Sequence, residues 1–109
     1  MAGRFEVFAD KAGKSRFRLK SSNGETVLAS QGYASKSGCK NGIESVKKNA
    51  RSQKNFEKKD GSGGKFRFNL LAANKKVIAT SESYNTARAR DNGIKAVQKS
   101  ASGAPILDV

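Results

Sequence analysis

The stretch Lys14-Ser15-Arg16-Phe17-Arg18-Leu19-Lys20 alternates charged and less polar side chains at every step, and Lys65-Phe66-Arg67-Phe68-Asn69-Leu70 repeats the pattern 51 residues later. A period of two marks a strand with one buried and one wet face. Ser15, Phe17 and Leu19 point one way, with Phe66, Phe68 and Leu70 in the second stretch. Lys14, Arg16, Arg18 and Lys20 point the other way, with Lys65, Arg67 and Asn69.

The offset extends over most of the chain. Phe5–Ala50 aligns with Phe56–Ala101 without a gap, and sixteen of the 46 positions are identical. They include Phe5/Phe56, Glu6/Glu57, Gly13/Gly64, Asn23/Asn74, Tyr33/Tyr84 and Gly42/Gly93. Self-similarity at a fixed period implies a repeated structural unit, though two copies are too few for a solenoid. Each half, at about 50 residues, is too short for a generous core of its own. One shared core is therefore expected: a single domain over residues 1–109, with repeats at 5–50 and 56–101 and a tail at 102–109.

Each repeat reads as β-β-β-α. A short strand (Arg4–Phe8; Asn55–Lys59) leads through a turn (Asp10-Lys11-Ala12-Gly13; Asp60-Gly61-Ser62-Gly63-Gly64) into the alternating strand. Ser22-Asn23-Gly24-Glu25 then favours a two-residue hairpin turn with positive φ, and in the second repeat Asn74 is expected to take the left-handed position. A third strand follows (Thr26–Ser30; Val77–Ser81). Ser35 and Thr86 are N-cap residues. Cys39, Ile43 and Val46 lie on one face of the first helix; Arg90, Ile94 and Val97 occupy those places in the second. Gly42 and Gly93 sit inside the helices, where glycine costs about 1 kcal/mol relative to alanine, which suggests close packing of helix on sheet. Gly103 and Pro105 stop the second helix. The expected fold is α+β: one antiparallel sheet with two helices packed on one face, pseudo-two-fold symmetric.

Several of these residues also carry a family resemblance. Gly3-Arg4-Phe5-Glu6, Lys65-Phe66-Arg67-Phe68-Asn69-Leu70 with Ala73-Asn74, and Cys39-Lys40-Asn41-Gly42-Ile43-Glu44-Ser45-Val46-Lys47-Lys48-Asn49-Ala50 with its echo Asn92-Gly93-Ile94 resemble the YegP-like family of small bacterial proteins. Arg90 and Asp91 depart from the pattern. The resemblance implies a duplicated αβ motif with helices on antiparallel sheet and terminal strands exchanged between halves. It brings no catalytic or binding residue with it.

Charge sets the functional expectations. Twenty-two Lys and Arg against nine acidic residues give +13. Such an excess favours polyanions, of which nucleic acid is the commonest, although it also serves solubility. The candidate surface is the outward face of the second strands: Lys14, Arg16, Arg18, Lys20, Lys65 and Arg67, a basic face about two strands wide suited to phosphates. Phe8 alternates onto that face beside Glu6, where an aromatic among cations can stack on bases. The plain alternatives are a solvated strand face and an ordinary surface or core aromatic. Lys47, Lys48, Arg51, Lys54, Lys58 and Lys59 form a second cluster. It reads first as a solvated helix end, where cations favour the dipole.

Other chemistry finds little support. The chain has no His and one Cys, so neither a zinc cluster nor an internal disulfide is expected. Cys39 has no activating base and reads as core. Gly61-Ser62-Gly63-Gly64-Lys65 is followed by a strand, not by the helix that a phosphate loop needs. No set of residues converges on acid–base or nucleophilic catalysis. No cofactor, secretory signal or membrane span is expected. The readings left open are a cytoplasmic, monomeric, non-enzymatic nucleic-acid binder, a protein-interaction module using a sheet edge or the helical face, and a small-molecule binder between the halves that no residue specifically supports.

Overall fold

The computed structural model describes residues 3–61, 63 and 65–109. Its elements run β1 (Arg4–Ala9), β2 (Ser15–Lys20), β3 (Thr26–Ser30), α1 (Lys36–Asn49), a 3₁₀ turn at Gln53–Asn55, β4 (Phe56–Gly61), β5 (Lys65–Leu71), β6 (Val77–Thr80), α2 (Ala87–Ala101) and β7 (Ile106–Asp108). The seven strands form one sheet in the order β4-β5-β6-β3-β2-β1-β7. Alternation sends Phe5, Val7, Phe17, Leu19, Phe68 and Leu70 to one side, where Cys39, Ile43 and Val46 of α1 and Ile94 and Val97 of α2 meet them in one continuous buried cluster. Two edge-to-face ring pairs, Phe5–Phe17 and Phe56–Phe68, anchor its two ends.

The sheet is mixed, which corrects the expectation of an antiparallel sheet, and the tail at 102–109 docks on it through Ile106 and Leu107. Beyond Gly103, whose φ is +69°, the chain returns to the sheet as β7 and pairs parallel with β1. Phe5 N–H donates to the Pro105 carbonyl and Val109 N–H to the Val7 carbonyl, each at 2.9 Å. The free edge of β1 offers unpaired backbone groups, and Ile106 gains partial burial against the core.

The hairpin turns between the second and third strands also differ from expectation. Ser21 N–H donates to the Glu25 carbonyl, and Ala72 N–H to that of Lys76, so each loop holds three residues instead of two. The left-handed positions are Gly24 and Lys75, not Asn74. The Asn23 and Asn74 side chains instead accept from the N–H two residues ahead, at 3.1 and 3.0 Å, the Asx-turn role. In the turn between β4 and β5, Ser62 and Gly64 lie outside the described residues, and with Gly64 the Gly13/Gly64 match.

The caps form as expected. Ser35 Oγ accepts from Gly38 N–H and Thr86 Oγ1 from Ala89 N–H, both at 3.0 Å. Two further hydroxyls stand in for ladder bonds where strands diverge. Phe17 N–H donates to Ser30 Oγ at 2.9 Å, and Phe68 N–H to Ser81 Oγ at 3.0 Å. Arg90 is buried where α1 has Cys39. Its guanidinium pairs with Asp60 and Asp91 and lies 5.6 Å from the Phe66 ring centre, so charge replaces the apolar packing of the first repeat.

Candidate nucleic-acid interface

The sheet surface away from the helices is ordered by strand register. One row crosses all seven strands: Glu57, Asn69, Thr80, Ala29, Arg18, Glu6 and Leu107. Beside it, Lys59 faces Arg67 on one half and Phe8 faces Arg16 on the other. Arg16, Arg18, Lys20 and Phe8 thus share a face, as expected from alternation. Lys14 stands exposed just before β2, and Lys65 and Arg67 lie exposed on β5.

The two groups are not neighbours, which corrects the basic face two strands wide. β3 and β6 separate β2 from β5, so the strand axes lie about 14 Å apart, three spacings of the sheet. The intervening row carries the short side chains of Ala29 and Thr80. The result is a trough with a low floor and a cationic wall on each side. At one end it opens into a cleft of about 500 Å³ lined by Lys14, Arg16, Gln31, Thr80 and Glu82 among others.

Cations on the two walls differ in how far they are neutralised. Glu6 is buried and accepts from Arg18 Nε at 2.7 Å and Arg4 Nε at 2.9 Å, with Lys20 Nζ at 3.8 Å. The Arg18 hydrogen bond, then that of Arg4, holds its carboxyl below the usual carboxylate range. Arg16 donates to Asp10 at 2.7 Å and lowers that carboxyl in the same way. The Arg18 guanidinium lies 4.7 Å from the Phe8 ring centre, so the half-buried ring already has a cation on it. Across the trough, Arg67 donates to a neutral partner, Ser83 Oγ, at 2.9 Å. Among the described residues Lys14, Lys65 and Arg67 form no ion pair. Glu6 and Glu57, the acidic residues common to both repeats, are placed to pair with strand cations across the sheet, and Glu6 does so as the hub of Arg4, Arg18 and Lys20.

Of the second cluster, only Lys59 reaches this face, beside Lys65 and Arg67. Lys59 pairs with Glu57 on the β4 edge, and Lys58 with Asp91 of α2. Lys47, Lys48 and Arg51 lie at the end of α1, with Lys54 in the 3₁₀ turn beyond it. Cys39 is fully buried, and burial pushes its thiol pKa up, which makes it inert. The described residues contain no group of three or more metal-ligating side chains and no helix long and apolar enough to cross a membrane.

Known proteins share this fold over nearly the whole chain. The model of the domain of unknown function DUF1508 matches twice, at residues 10–57 and 62–108. The chain is 50% identical over 109 residues to the UPF0339 protein in the ptx operon 5′ region of Stutzerimonas stutzeri, covering all of this chain and 98% of that one. It is 43% identical over 108 residues to the UPF0339 protein YegP of Escherichia coli K12, covering 99% and 98%. The solution structure of YegP from E. coli superposes with a TM-score of 0.93 at 42% identity, over 99% of this chain and 93% of that chain. A UPF0339 protein of Shewanella oneidensis matches equally well, at 0.93 and 41%, over 99% and 92%. The resemblance read from the helix segment Cys39–Ala50 is therefore correct, and the chain belongs to the UPF0339 family of DUF1508 proteins, with YegP among its relatives.

Proposed function

We propose that this protein is a non-enzymatic binding module that engages nucleic acid, or a polyanion like it, in the trough of the sheet face. The observation that carries this reading is Arg67. It is exposed and fixed in direction by the Ser83 hydroxyl, with its charge left for a ligand. Lys65 beside it and Lys14 across the floor complete a set of phosphate partners. Arg16, Arg18 and Lys20 contribute less than their number suggests, because Asp10 and Glu6 already engage them. A monomer working in the cytoplasm fits this reading. Fluorescence anisotropy with labelled single-stranded RNA and a DNA duplex tests it. Affinity that persists at roughly 200 mM salt supports the module, and binding confined to roughly 50 mM is mere polycation behaviour.

We also infer that the chain is a tandem duplication of a β-β-β-α unit, with a pseudo-two-fold axis at the seam between β3 and β6. Sixteen identities at one offset and the double match of the family unit support it.

A second reading is a protein-interaction module acting through a sheet edge. It is favoured by Leu107 and Val109, large hydrophobics exposed at 43% and 66% beside the outer edge of β7.

A further inference from the structure

On the helical side, the C-terminal ends of α1 and α2 meet. Gln98 of α2 donates to the Ala50 carbonyl at 2.9 Å, and Gln53 reaches Gln98 at 3.4 Å. A hollow of about 110 Å³ at this junction is lined by Lys47, Arg51, Gln98 and Ser102 among others. Five cations belong to these two ends: Lys47 and Lys48 in the last turn of α1, Lys99 in the last turn of α2, Arg51 on the hollow itself and Lys54 in the 3₁₀ turn beyond. Lys47 pairs with Glu44 at 3.9 Å, and none of the other four forms an ion pair among the described residues.

Cations at a helix C-terminus ordinarily offset the dipole. Here the numbers leave a surplus. Two helix ends contribute about −0.5 each, and Glu44 one more negative charge, so the junction retains about +3. We infer that this junction is a second phosphate-binding surface, on the opposite side of the sheet from the trough, and that one molecule holds two nucleic-acid segments together. The inference rests on the reading of the sheet face as a nucleic-acid site.

Two features support nucleic acid as the occupant. Strong positive charge is complementary to a phosphate backbone. A membrane surface would want an exposed apolar stripe beside the cations, and the large exposed hydrophobics, Leu107 and Val109, lie on and beyond β7 instead. Separation is also adequate. The shortest dimension of the molecule is 27 Å, about three screening lengths at physiological salt. Two bound segments therefore repel each other only weakly. The junction offers no trough, so it is the weaker of the two surfaces.

Energy transfer between two short DNA duplexes, one carrying a donor and the other an acceptor, tests this at equimolar protein and physiological salt of about 150 mM, where mere polycation binding is weakened. The wild-type protein is expected to bring the duplexes together. The helix-side variant Lys48→Glu/Arg51→Glu/Lys99→Glu keeps binding to one duplex by anisotropy but loses transfer. The sheet-side variant Lys14→Glu/Lys65→Glu/Arg67→Glu behaves likewise. Lys11→Glu/Lys75→Glu/Lys76→Glu, with the same net charge, keeps both. All nine side chains are exposed, so folding is not at stake. Undiminished transfer by the helix-side variant would overturn the inference, since bridging would then come from self-association. Binding by the wild type without transfer would overturn it too, while leaving the sheet-face reading intact. Absence of any binding would sink both.

Discussion

Tyr84 fills the space that a side chain at Gly93 would need. A Cβ built there falls 2.7 Å from the ring carbon that bears the hydroxyl, and the hydroxyl oxygen is closer still. Tyr33 crosses Gly42 in the same way, at 2.8 Å, with the Phe17 ring 3.1 Å away. Glycine inside each helix thus lets a tyrosine lie between helix and sheet, stacked on Phe17 or Phe68.

Alanine at Gly42 or Gly93 should therefore destabilise. Helix propensity alone would gain about 1 kcal/mol, but the overpacking costs about 1–3 kcal/mol. Urea unfolding of Gly93→Ala should show a net loss. Tyr84→Phe combined with Gly93→Ala should lose less than the sum of the two single changes, by about 0.5 kcal/mol or more. A stabilised Gly93→Ala would refute the close contact.

Arg90 invites a different exchange. Its side chain is 8% exposed and depends on Asp60 and Asp91. Removing both carboxylates (Asp60→Ala/Asp91→Ala) should cost about 2–4 kcal/mol, because it strands a buried charge. Arg90→Met, which removes the charge and keeps the volume, should stay within about 1 kcal/mol of wild type. Thermal unfolding of the two variants distinguishes these outcomes. The reverse order would mean that the pair is stabilising in itself.

Glu6 links stability to acid. Its pKa in the folded chain lies below the ordinary 4.5 because Arg18 and Arg4 hydrogen-bond the carboxylate. A lowered folded pKa stabilises the fold above the ordinary value, and that contribution is lost as pH falls through the lower folded one. Glu6→Gln should therefore unfold with a shallower pH dependence below about pH 4.5. Denaturant midpoints measured from pH 7 down to pH 3 would show it. An unchanged slope would mean that Glu6 is not the hub of those cations.

How much of this was legible in the sequence depended on range. The strand Ser15–Lys20, the caps Ser35 and Thr86 and the third strand Thr26–Ser30 follow from local pattern, because period, capping and turn chemistry act over a few residues. Parallel pairing of β7 with β1 was not legible. It joins Ile106 to Phe5, and a three-residue strand leaves no periodic trace. Adjacency of β3 and β6, which turns one basic face into two walls, is likewise a long-range pairing. The left-handed residue fell at Lys75 because Asn74 was better used as a side-chain acceptor. Lys14, Arg16 and Arg67 were legible as outward cations. That Arg16 is neutralised while Arg67 is not depends on Asp10 and Ser83, both brought alongside only by the fold.

β7 offers a direct check on the corrected topology. Ile106→Ala removes apolar contact at the parallel pairing of β7 with β1 and should cost about 1–2 kcal/mol. The Phe5 amide, which donates to Pro105, should exchange faster with solvent in that variant. Unchanged exchange would place the C-terminal segment elsewhere.

The trough itself is tested most directly by anisotropy of labelled RNA and duplex DNA with Lys14→Glu/Lys65→Glu/Arg67→Glu, set against the equally charged control Lys11→Glu/Lys75→Glu/Lys76→Glu. At roughly 200 mM salt the sheet-face variant should bind at least about tenfold more weakly than the control, and its plot of log affinity against log salt should be shallower by about 3. If the two variants bind alike, the sheet face is not the site.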